Sequence, residues 1–112
     1  MKTLIPIALV VALGCGGAQV LSTDAPASAI RAAEEGGAEK VPRAALHLQL
    51  AKDEMGRSQE LAKDGEHKKA RSLLQRAEVD AELALVLAHE ENEKAAAADA
   101  VARVRQLQQG NR

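Results

Sequence analysis

Between positions 70 and 88, small apolar residues recur in alternating steps of four and three: Ala70, Leu74, Ala77, Ala81, Ala84 and Ala88. That alternation is the period that keeps one face of an α-helix turned toward a neighbour. Five of the six are alanine, so the neighbour's axis can lie near the short end of the usual range of about 8–10 Å. This stretch therefore demands a close helical partner. The chain supplies one upstream, where Val41, Ala44, Leu48, Ala51, Met55, Ser58 and Ala62 repeat the same spacing.

Between the two stretches stands Lys63-Asp64-Gly65-Glu66. A basic residue in a last turn, glycine just past it and an acidic residue opening the next helix form a stop-and-restart signal. So short a connection folds the flanking helices antiparallel. Pro42 sits where a proline opens a helix, and Gly110 where glycine closes one. Composition agrees: the chain has no Phe, Trp or Tyr, and its apolar fraction is carried by alanine, the best helix former. The fold expected is all-α. It is an antiparallel helical hairpin with a long C-terminal helix, preceded by a signal peptide and a short helix. Helices are expected at about 25–35, 42–64 and 66–109, and together they form one helical domain, 25–109.

The seam of that hairpin is predicted to run through Leu48, Ala51 and Met55 on one side and Ala70, Leu74, Ala77, Ala81 and Ala84 on the other. Leu73, Leu83, Val86 and Leu87 are expected to widen it. Gly56 stands mid-helix, where it is expected to permit close approach of a neighbouring backbone. Asp53 with Arg57, Glu90 with Lys94, and Asp99 with Arg103 are spaced for ion pairs one turn apart. At 1.5 Å per residue the third helix reaches about 65 Å and the second about 35 Å. About twenty residues of the third helix are thus left without an intrachain partner, with Val101, Val104 and Leu107 as a thin apolar edge. The first helix, Ala27 to Glu35 with Ile30 as its large apolar residue, is expected to dock weakly or fray.

At the start of the chain, Met1-Lys2-Thr3 leads into the uncharged apolar run Leu4 to Leu13, closed by Gly14-Cys15-Gly16-Gly17. A basic lead, an apolar core of about 7–15 residues and a small residue before the cut describe a secretory signal. The run is shorter than the roughly 20 residues needed to cross a bilayer. Residues 1–14 are expected to be that signal and 15–24 a flexible tether. Cys15 is the sole cysteine, and Leu13-Gly14-Cys15 resembles the lipobox of bacterial lipoproteins, although Ala12 occupies the place where leucine is usual. The resemblance implies that Cys15 carries the lipid and anchors the protein to a membrane, facing the periplasm of a bacterial cell envelope. Gly16 after the cysteine implies the outer membrane rather than the inner.

The run Leu61 to Ala81 resembles the turn and second helix of one tetratricopeptide repeat through Gly65, Ala70, Leu74 and Ala77, without that repeat's first-helix signature. A wider resemblance covers nearly all of the chain after the signal. Cys15, the alanine-rich Ala27 to Glu35, Pro42, Gly65, Ala70-Leu74-Ala77 and Asp80-Ala81 together resemble the bacterial lipoproteins grouped as domain of unknown function 4398. Members usually carry an aromatic residue after the turn glycine, where this chain has Glu66-His67. The family implies an envelope-anchored helical protein.

Chemistry is sparse. His47, His67 and His89 have no second ligand at metal spacing. Ser58 and Ser72 have no His/Asp constellation, and the glycines around Cys15 lack the strand and Lys-Ser/Thr of a phosphate loop. Beyond the first fourteen residues 14 basic side chains are mixed with 16 acidic ones. That leaves no basic stripe or aromatic platform for nucleic acid. The expectation is a non-catalytic protein with no metal, cofactor, small-molecule substrate or nucleic acid. Its partners would be the membrane, through Cys15, and an envelope protein or a second copy of itself. Its role would be structural or in protein interaction, the working surface being the seam and the C-terminal overhang. The alternatives are a periplasmic holdase or adaptor using an exposed apolar groove, and a coiled-coil envelope spacer.

Overall fold

The structure, a computed structural model, describes residues 21–111. The order is α1 (Asp24–Glu35), a 3-10 turn (Ala38–Lys40), α2 (Pro42–Lys63) and α3 (His67–Gly110). No strand occurs among the described residues. The antiparallel hairpin is present, and α3 is twice the length of α2, with 44 residues against 22.

Local chemistry sets each boundary. Val41 is extended (φ −111°, ψ 113°) because the proline after it disfavours the helical region, and α2 begins at Pro42. At the other end Gly65 takes φ +79°. The Glu66 N–H bonds the Leu61 carbonyl at 2.8 Å and the Gly65 N–H bonds Ala62 at 3.1 Å. This is the paired Schellman arrangement, and it satisfies two carbonyls that the helix end would otherwise leave unbonded. Gly37 ends α1 in the same left-handed region, at φ +82°.

The core is built almost entirely from small residues. Ala44, Leu48 and Ala51 of α2 pack with Ala81, Ala84, Leu87 and Ala88 of α3, and Ile30, Ala33 and Ala38 join them. Alanines this fully buried keep the helices close, which replaces the bulky core-fillers the sequence lacks. Of the two outcomes expected for the short first helix, docking or fraying, the structure shows docking: it lies chiefly along α3 and partly on α2, burying Pro26, Ile30 and Ala33. Its start abuts Arg71, Leu74, Gln75 and Glu78, and its end reaches Leu85, His89 and Asn92. Lys52 of α2 holds that end, 2.6 Å from Glu34, and the hydrogen bond to Glu34 raises its pKa. A twelve-residue helix is marginal alone, but a hairpin groove to bury Ile30 removes that objection.

Other local expectations change as well. Gly56 is exposed, and a Cβ there would meet nothing within 4 Å, so it admits no neighbouring backbone. Asp53 accepts a hydrogen bond from Gln49 at 2.8 Å rather than pairing with Arg57. Val86 and Leu83 point largely to solvent, 60% and 39% exposed, and of the residues expected to widen the stripe only Leu87 is buried.

Candidate interaction surface

The seam residues and the exposed edge have opposite fates. Leu48, Ala51, Ala70, Leu74, Ala77, Ala81 and Ala84 are buried, and Met55 is half-buried. All eight lie in the packing of the chain's own helices, so they offer no free face to another protein. That part of the expected working surface is corrected: the seam is already filled by α2 and α1. Cys15 and the signal segment lie outside the described residues.

The overhang differs. Every described residue from His89 onward is exposed, and Asn92 Nδ2 reaches back to the Gly36 carbonyl at 3.5 Å. Beyond that point α3 continues for eighteen residues, about 27 Å. Val101, Val104 and Leu107 are 51%, 53% and 70% exposed. Ala100, Val101, Val104, Arg105 and Gln108 line a shallow apolar depression of about 390 Å³. Glu90 and Lys94 close their ion pair at 2.6 Å. The hydrogen bond from Lys94 lowers the Glu90 pKa, and the same bond raises that of Lys94. No ion pair joins Asp99 to Arg103 among the described residues.

One feature of the body was missed by the sequence reading. Glu54 is only 6% exposed; its Oε1 accepts from Arg76 at 2.8 Å, while Oε2 is buried without a hydrogen bond. Nearby, His47 Nδ1 and Asp80 Oδ1 meet at 2.8 Å across the hairpin. Burial pushes the Glu54 carboxyl above its ordinary range. The Arg76 guanidinium opposes that shift and the Asp80 carboxylate adds to it. The signal was available: Glu54 lies three residues after Ala51 and four before Ser58, on the buried stripe itself. Ser58, buried beside it, donates to the Met55 carbonyl at 2.6 Å.

Among the described residues no cluster of three or more His, Cys, Asp or Glu is placed to hold a metal ion. The groove of about 500 Å³ where α1 begins is lined by Leu21, Ser22, Ala25, Pro26 and, from α3, Arg71, Leu74, Gln75 and Glu78. It is open to solvent, and at its edge the Ser22 hydroxyl donates to Asp24 Oδ2 at 3.3 Å. No described helix is long and apolar enough to cross a membrane.

No curated protein and no solved structure matches this chain. A family profile does, over residues 24–109, from the first residue of α1 almost to the end of α3. With the docked helix, the glycine-capped hairpin and the overhang all inside that span, the chain belongs to the family described as Domain of unknown function (DUF4398).

Proposed function

We propose that this protein is a lipid-anchored, non-catalytic element of the bacterial cell envelope that works by contacting another protein through the outer half of α3. The observation that carries the reading is the fate of the two apolar surfaces: the seam is consumed inside the chain, whereas Val101, Val104 and Leu107 stand exposed on a helix that has left the body. An exposed apolar edge on a rigid rod suits a contact surface, and the shallow grooves beside it give a substrate little wall. The anchor is Cys15, reached through the apolar lead Leu4 to Leu13. Several acyl chains on one residue would satisfy the need for more than one lipid signal in stable anchoring. The protein then faces the periplasm, on the outer membrane in preference to the inner.

Two measurements test this. Intact mass of the protein from cells should show a diacylated or triacylated cysteine, and Cys15→Ser should move the chain from the membrane fraction to the soluble one; a soluble, unacylated wild type defeats the anchor. A photo-crosslinking residue at Val104 should trap protein in intact cells while one at Glu82 does not, and equal labelling at both sites defeats the contact surface.

A further inference from the structure

The overhang carries its own description of what would cover it. From Ala97 outward, Ala97, Ala100, Val104 and Leu107 follow steps of three, four and three on one helix face, with Val101 beside them. The two inner members are small and the two outer members large. Charge divides the same way. Positions 89–99 hold Glu90, Glu91, Glu93 and Asp99 against Lys94, a net of −3, and positions 100–112 hold Arg103, Arg105 and Arg112 with no acid, a net of +3. Of these, Glu90 and Lys94 are spent on each other.

We infer that the outer part of α3 pairs antiparallel with the same segment of a second copy of this chain. Antiparallel pairing sets Ala97 level with Leu107 of the second copy and Ala100 level with its Val104, small against large in all four layers, the arrangement that interdigitates best. Parallel pairing would set Leu107 on Leu107 and Ala97 on Ala97, a wedge. Antiparallel pairing also lays the acidic inner part of one overhang along the basic outer part of the other, whereas parallel pairing lays acid on acid and base on base. The paired segments, 93–111 in each copy, lie beyond the contact of Asn92 with the Gly36 carbonyl. The depression formed by Ala100, Val101, Val104, Arg105 and Gln108 is then a hole for a facing side chain.

About twenty residues per copy bury roughly 800 Å² in total, below the size of stable interfaces, so the dimer is a weak one. Chains held in one membrane plane would gain effective concentration. The inference deepens the reading above and rests on it only for the overhang's being a contact surface.

The test uses the full chain in a Cys15→Ser background, which separates self-association from acylation. Ala97→Cys and Leu107→Cys proteins, mixed and mildly oxidised, are expected to give a disulfide-linked mixed dimer in several-fold excess over either self-linked species. Sedimentation equilibrium should show mass rising toward twice the monomer between about 5 and 500 µM. Val104→Glu should hold the chain monomeric with its melting midpoint at low concentration unchanged. Preferential Leu107–Leu107 linkage, or a monomer throughout that range, overturns the inference. A different protein trapped at Val104 in cells, with no self-linked product, overturns it too, yet leaves the contact-surface reading intact.

Discussion

Glu54 on α2 and Arg76 on α3 meet at 2.8 Å with unequal exposure: the carboxylate side chain is 8% exposed and the guanidinium 67%. The arginine keeps most of its hydration while the glutamate gives its own up, so the pair costs more on the acidic side than on the basic one. The unbonded Oε2 marks the shortfall. Protonated, Oε2 gains a hydrogen to donate toward Asp80, and the burden is relieved.

Stability should therefore fall as pH rises through the Glu54 transition. Burial raises the folded-state pKa of Glu54 above its ordinary 4.5, against Arg76 and Arg57 and with Asp80. Between those two values the folded chain binds more protons than the unfolded one, so the Glu54 contribution is complete below 4.5 and lost as pH climbs through the raised value. Glu54→Gln keeps the shape and removes the titration. Urea midpoints from pH 4 to 8 should show wild type losing stability relative to Glu54→Gln as pH rises; a constant difference would place Glu54 in water.

Two alanines of α3 should respond in opposite ways to the same change. Ala81 is fully buried against α2, where extra methylenes have nowhere to go, so Ala81→Leu should cost about 1–3 kcal/mol. Ala98, on the exposed overhang, should accept leucine within about 0.5 kcal/mol. Thermal melts of the two variants at low concentration separate the packed seam from the free rod.

Glycines give a second contrast. Gly65 holds φ +79° with open space around it. Gly65→Ala therefore carries only the left-handed penalty, a loss of about 1–2 kcal/mol, and Gly65→Asn should recover part of it. Gly56 is helical, exposed and equally unobstructed, so Gly56→Ala should stabilise by about 0.5–1 kcal/mol. Chemical denaturation checks both signs.

The hairpin was legible because its signals are local or periodic. Pro42, Gly65 and the four-three alanine spacing each name an element or a face without reference to distant residues. What stayed hidden depends on relations between elements. α1 looked marginal because its own twelve residues hold one large apolar side chain, Ile30, and nothing in them announces the groove of α2 and α3 that receives it. Glu54 sat on the buried stripe, but its charge suggested solvent, and only Arg76 on the opposite helix explains how it is tolerated. Gly56 was assigned a packing reason it does not have, because a mid-helix glycine looks the same in sequence whether or not a neighbour approaches. Of the contact surface, the exposed edge at Val101, Val104 and Leu107 followed from helix lengths alone, while the seam's being spent inside the chain required the three helices together.

A chain ending at Lys94 supplies the last prediction. Every described residue it removes is exposed, and the core of Ala44, Leu48, Ala51, Ala81, Ala84 and Leu87 with Ile30 and Ala33 lies wholly before the cut. At about 5 µM, where a weak interface of this size is dissociated, the melting midpoint should stay within about 3 °C of wild type. Helical signal should drop in proportion to the residues lost. A large fall in midpoint would show that the outer half of α3 folds back on the body, and the overhang would then be part of the core rather than a free contact surface. An unchanged midpoint combined with loss of concentration-dependent mass would assign folding to the three packed helices and association to the rod beyond them.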